Sequence, residues 1–305
     1  MMSKKKNAMA MLAVACAMLS ACGGDSSHSS ADPDPEPQAL VLSEANAARV
    51  AGDTLLFAQL LPESFYAMIS AAGFLATGQN CLSGEASVQS DDLERPVSAS
   101  MSDCVVENGV TVDGTLRFDY DSEDPDAPPS ELNAESFTLI STYGDTDNSS
   151  ETHFSFDGEI DFQVDENLEN SDFQEVDGTL AFSLDSTYDG EQQSFQRQWI
   201  LDDYRQIGVN QSGAYLAELS GDVTLGDPAG RVVLTTYAPV GANGLSSCPS
   251  AGDITAEGGD GTSLNLSVID NDDILITLNG VGTHYSCEEY GAWLQEAMDF
   301  PNSPI

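Results

Sequence analysis

From Cys81 onward, apolar and polar residues alternate. Thr111 to Tyr120 reads Thr-Val-Asp-Gly-Thr-Leu-Arg-Phe-Asp-Tyr, with apolar side chains on one face and polar ones on the other. A period of two is the mark of a half-buried strand. The unit recurs. Val112-Asp113-Gly114-Thr115-Leu116-Arg117-Phe118 matches Phe156-Asp157-Gly158-Glu159-Ile160-Asp161-Phe162, and again Val176-Asp177-Gly178-Thr179-Leu180-Ala181-Phe182. Leu219-Ser220-Gly221-Asp222-Val223-Thr224-Leu225 is a fourth copy, and Gly252-Asp253-Ile254-Thr255-Ala256 a partial fifth. Glycine inside a strand marks a bulge or sharp bend. The intervals between these glycines, 44, 20, 43 and 31 residues, are too uneven for a solenoid or propeller. An antiparallel meander fits instead, with hairpins legible at 152–164 with 174–184 and at 213–225 with 230–238.

Residues 43–76 break the alternation. They are rich in Ala, Leu and Phe. Ser43 is placed to cap a helix running to about Leu60, and Pro62 suits the first turn of a second helix, Glu63 to Ala72, stopped by Gly73. Leu55, Leu56, Leu60, Phe65, Met68 and Ile69 then need a sheet to bury them. Near the other end, Ser286-Cys287-Glu288-Glu289 is a capping box. Tyr290, Trp293, Leu294 and Ala297 follow on one helical face, with Trp293 a core anchor. The expected fold is mainly β: a curled antiparallel sheet of about a dozen strands, with N-terminal helices packed against it and a short C-terminal helix.

The first 22 residues carry an address. Lys4, Lys5 and Lys6 form a positive region, Ala8 to Leu19 a short apolar one, and Leu19-Ser20-Ala21-Cys22 follows. The apolar run is too short to span a bilayer and reads as a signal peptide. The tetrad matches the bacterial lipobox, so residues 1–21 are expected to be cleaved and Cys22 to carry lipid. Two or three acyl chains, at about 0.8 kcal/mol per buried CH₂, make such an anchor stable. Gly23, where an Asp retains enterobacterial lipoproteins in the inner membrane, favours the outer membrane of the cell envelope. Residues 22–41, rich in Gly, Ser, Asp and Pro, form a disordered tether. A single β-rich domain is expected over 42–305, its helical segment at 42–76. His28 lies alone in the tether and has no metal role.

Charge narrows the partners. The chain has 51 acidic residues and a formal net charge of −42. All three lysines lie in the signal, so the mature chain is more acidic still, with Arg49, Arg95, Arg117, Arg197, Arg205 and Arg231 its strong cations. Such a surface excludes nucleic acid and disfavours electrostatic docking to anionic lipid. A solvated acidic surface suited to a saline setting is preferred to a cation site. Asp119, Asp121, Glu123 and Asp126 alternate as calcium ligands do, but the loop lacks the central Gly and closing Glu of an EF-hand. Asn271-Asp272-Asp273 reads as a tight turn. No metal and no cofactor is expected.

Besides Cys16 and Cys22 the chain has Cys81, Cys104, Cys248 and Cys287. Export exposes these four to an oxidising compartment, where three pairings are open. Cys81–Cys104 and Cys248–Cys287 are chosen because each pair flanks one strand-rich segment. Each loop closure is worth about 3–4 kcal/mol in the chain-entropy model.

Catalytic motifs are missing. The sequence has no Gly-x-Ser-x-Gly elbow, no His-Glu-x-x-His and no P-loop. His153 and His284 have carboxylates everywhere around them, which makes any pairing uninformative. A non-enzymatic binding or structural role in the envelope, with an envelope protein as partner, is the leading expectation. The alternative is an accessory protein that binds or transfers lipids or hydrocarbons, with Phe118, Phe154, Phe156, Phe162 and Phe182 lining an apolar cavity. A hydrolase stands third.

Two stretches carry a resemblance. Asn80-Cys81-Leu82-Ser83-Gly84, Asp103-Cys104 and Val112-Asp113-Gly114-Thr115-Leu116 form the first; Cys248-Pro249-Ser250-Ala251-Gly252-Asp253-Ile254, with Gly258-Gly259-Asp260-Gly261, forms the second. Together with Ser43-Glu44-Ala45-Asn46-Ala47 they resemble uncharacterised proteobacterial envelope lipoproteins. Ser83-Gly84-Glu85 departs from the Gly pair common there. The resemblance implies a secreted all-β domain and brings no activity.

Overall fold

The computed structural model describes residues 37–76, 80–124, 127–144, 149–164, 171–188, 191–211, 214–241, 248–270 and 272–298. The residues expected to form the signal peptide and most of those expected to form the tether, Cys22 and His28 among them, lie outside these ranges. The described chain from Pro37 on forms one compact unit. It is mainly β. Helix α1 (Ala47–Ala76) precedes β1 (Ser83–Ser90), β2 (Pro96–Glu107), β3 (Val110–Asp119), β4 (Glu131–Gly144), β5 (Ser149–Val164) and β6 (Ser171–Tyr188). Then come β7 (Glu191–Gln211), β8 (Ala214–Gly226), β9 (Ala229–Gly241), β10 (Ala251–Glu257), β11 (Ser263–Asp270), β12 (Asp273–Leu278), β13 (Val281–Tyr285) and α2 (Cys287–Met298). The thirteen strands among the described residues make one antiparallel sheet in chain order. The hairpins legible in the sequence are β5–β6 and β8–β9. The sheet is open, with β1 and β13 as its edges, and it is not curled as the repeated glycines led us to expect; the irregularities they bring are local register shifts.

The bending sites are the repeated glycines. Register shifts run from strand to strand: Met101/Cys104 on β2, Asp113/Thr115 on β3, Ala134/Phe137 on β4, Asp202/Arg205 on β7 and Ala217/Ser220 on β8. At three of them a residue on one strand turns left-handed: Asp103 (φ 47°), Ser136 (φ 51°) and Asp203 (φ 49°). Each has its N–H held by the aspartate that precedes a repeated glycine on a neighbouring strand. Asp103 donates to Asp113 at 3.0 Å, Ser136 to Asp157 at 2.8 Å and Asp203 to Asp177 at 2.8 Å. The Asp-Gly pair therefore works as one device. Glycine leaves room for the neighbouring backbone, and aspartate satisfies the amide that the bulge takes out of the ladder.

Helix α1 crosses the strands. The segment just before it is fixed at one end by Leu42, whose N–H donates to Thr262 at 2.9 Å and whose carbonyl accepts from Asn279 at 3.1 Å. Midway, Phe65 packs edge-on between Phe162 of β5, at 4.3 Å, and Phe173 of β6, at 5.2 Å. Its last turns reach β1 and β2. Val50 to Leu56 are buried at seven successive positions. Two turns buried all round make this a core helix, which explains why it is long and apolar enough to pass for a membrane span.

A second expectation is corrected at α1. The predicted break at Pro62 does not occur; α1 runs through it. Proline removes the N–H that would bond the carbonyl four residues back, which is that of Ala58. The side chain of Gln206 supplies the missing donor at 2.7 Å, and Tyr204 in turn donates to Gln206 at 2.8 Å. Tertiary structure thus satisfies what the helix cannot.

The capping box at the start of α2 is formed, with Ser286 and Glu289 bonded reciprocally. Tyr290 and Leu294 are buried, and Trp293 stacks on Tyr285 at 5.5 Å. Both chosen disulfides are present: Cys81–Cys104 (Cα–Cα 5.2 Å) and Cys248–Cys287 (5.4 Å).

Candidate functional site

The five phenylalanines expected to line a cavity are all buried core residues. Phe162 is filled against by Phe65 of α1, Phe154 packs near Phe137 at 6.4 Å, and Phe182 near Phe195 at 6.2 Å. The helix occupies the space that a ligand would need. Among the described residues, open hollows lie elsewhere. One of about 580 Å³ sits between the end of α1 and edge strand β1; another of about 370 Å³ lies at the far ends of β4 to β7. Hydroxyl, amide and carboxylate side chains line the second, including Thr142, Ser150, Thr187 and Gln192. Neither is lined by these five aromatics.

The two histidines of the domain each meet a carboxylate on the surface. His153 contacts Glu151 at 2.7 Å, and His284 contacts Asp273 at 2.7 Å. Thr142 reaches Glu151 at 3.4 Å, so this hydroxyl faces the carboxylate and not the imidazole.

The acidic loop after β3 is organised by a cation already in the chain. Arg95 donates to the carbonyls of Ser122 (2.6 Å) and Asp124 (3.1 Å), pairs with Asp91, and lies over the Tyr120 ring at 4.1 Å. Asp126 lies outside the described residues. Arg95 thus holds this loop through two of its backbone carbonyls.

Sequence reading missed a different acidic arrangement. Glu131, Glu159 and Asp161 form one triad from β4 and β5; Glu175, Asp177 and Asp203 form another from β6 and β7. In each, the candidate ligand oxygens lie within 4.8 Å of one another. Glu131 is directly opposite Asp161, Asp161 opposite Glu175, and Glu159 opposite Asp177. Like charges facing across strands repel. Burial, then Glu159, Asp119, Asp161 and Asp121, raises the pKa of Glu131. Asp177, then burial, Asp161, Asp203 and Glu159, raises that of Glu175. Asp202 is raised by burial first, then Asp177, Asp203 and Asp222. These oxygens have the number and hardness to hold a divalent cation, or to face a cationic partner. The signal was present as acids at i and i+2, but only the strand register brings the pairs together.

No family model, no curated protein and no solved structure matches this chain.

Proposed function

We propose that the chain is a bacterial envelope lipoprotein, anchored through Cys22 to the outer membrane, with a non-enzymatic binding role carried on the outside of its sheet. One observation carries the binding half: the inner face is filled by α1, with Phe65 wedged between Phe162 and Phe173. A carrier needs an apolar hollow of about 300 Å³ or more. The aromatic positions that would have formed it are packed. The outer face, in contrast, presents carboxylates that repel one another and gain by meeting positive charge. The export half is supported by the two disulfides, which persist in oxidising compartments.

The test is mass spectrometry of the folded protein bearing Cys22→Ser, under conditions that preserve complexes. The expected spectrum is ligand-free, and stays so after incubation with fatty acids and alkanes. A stoichiometric lipid or alkane adduct supports the transfer reading instead and overturns this one.

A further inference from the structure

We propose that β1 is a self-association edge, to which a second copy of this chain adds its own β1, antiparallel and centred on Ser87. Among the described residues, strand β1 pairs only with β2. Seven of its eight residues are exposed. It carries no Pro or Lys, two of the residues that blunt a sheet edge, and its one charged side chain is Glu85. The other edge, β13, is five residues long and is followed by α2, which packs against it.

The core face of the sheet runs on into β1, where the end of α1 covers it only in part and Val88 is half-buried. Val88 is opposite the buried Ala99, and Ala86 opposite the buried Met101. Beside them opens the hollow of about 580 Å³, closed on its far side by Leu75 and Ala76 of α1. An added strand with small apolar residues at alternate positions fits it, and β1 is itself such a strand. A two-fold axis perpendicular to the sheet keeps both core faces on one side. Strand β1 is regular from Glu85 to Gln89 between two irregularities, and Ser87 is the centre of that stretch.

The charges select the register. Centred on Ser87, Glu85 lies opposite Gln89 of the second copy and Ala86 opposite Val88. Centring on Glu85 would set two carboxylates face to face, and centring on Val88 would set Glu85 against Asp91. In a chain of net charge −42 such clashes are costly. The chosen register also brings Leu93 of one copy to the end where the other exposes Leu82, at 67%. The tether cannot serve as the added strand, because its Pro33, Pro35 and Pro37 cannot sustain a ladder.

The test is disulfide trapping in membranes of cells producing the full chain. Ser87→Cys should give a cross-linked species of twice the monomer mass on non-reducing gels. Tyr237→Cys, on an exposed part of β9, should not. Adding Val88→Arg to Ser87→Cys should reduce the trapped dimer by about tenfold, as a charge placed in an apolar contact does. The Cys22→Ser protein should sediment as a dimer without any added cysteine. Monomeric sedimentation, equal trapping at Tyr237→Cys, or a cross-link to a protein of different mass overturns the proposal.

Discussion

Gln206 of β7 donates its side-chain amide to the carbonyl of Ala58 at 2.7 Å. That carbonyl is the one Pro62 leaves without a helical partner. The helix is continuous because a strand completes it. Gln206→Leu should therefore cost about 1–3 kcal/mol, leaving buried polar groups unpaired. Pro62→Ala restores the helical N–H, so the loss from Gln206→Leu should shrink in that background. Urea midpoints of the four proteins in the cycle measure this, and additive losses would contradict it.

Asp53 of α1 and Arg197 of β7 form a buried ion pair at 3.0 Å. Arg197 also donates to the Gln196 carbonyl and lies over the Phe195 ring at 4.3 Å. Burial outweighs the pull of Arg197 and Arg49 and raises the Asp53 carboxyl from 3.8 to about 7. The folded chain thus holds a proton that the unfolded chain releases between those values. Stability from this group is present in full below pH 3.8 and is lost as pH rises toward about 7. The raised carboxyls Glu131, Glu175 and Asp202 act in the same direction. Denaturant unfolding as a function of pH should show stability falling across this window, with a shallower slope in Asp53→Asn. An unchanged slope would contradict the assignment. Arg197→Met should cost about 3–5 kcal/mol at pH 8, since it leaves the buried Asp53 without its cation and makes it take up a proton to stay folded.

The Asp-Gly devices make separable predictions. A Cβ at Gly114 (φ 108°) would lie 2.6 Å from the Ser136 carbonyl oxygen. Gly114→Ala should destabilise by about 1–3 kcal/mol, from a strained φ and a backbone clash. Asp157→Ala should cost about 1 kcal/mol through the lost bond to the Ser136 amide. Thermal melts of both variants check this. An Asp157→Ala protein as stable as the parent would show that its carboxylate does not hold the bulge.

The legible parts of this fold were those written in local pattern. Alternation around Gly114, Gly158 and Gly178 gave strands with bulges, and Ser286 with Glu289 gave a helix start. The pairing of four cysteines followed from the segments they flank. Pro62 was misread because its compensation, Gln206, is remote in sequence. The phenylalanines were correctly placed on the inner face, but whether that face was empty or filled depended on how α1 crosses the sheet. The acidic triads are set by strand register, and alternation alone does not fix register.

The anchor at Cys22 is the claim on which the envelope assignment turns. Metabolic labelling with an alkyne fatty acid, followed by conjugation of a fluorophore, reads it directly. The wild-type chain should be labelled and recovered with membranes, and Cys22→Ala should be unlabelled. Equal labelling of the two proteins would contradict the account.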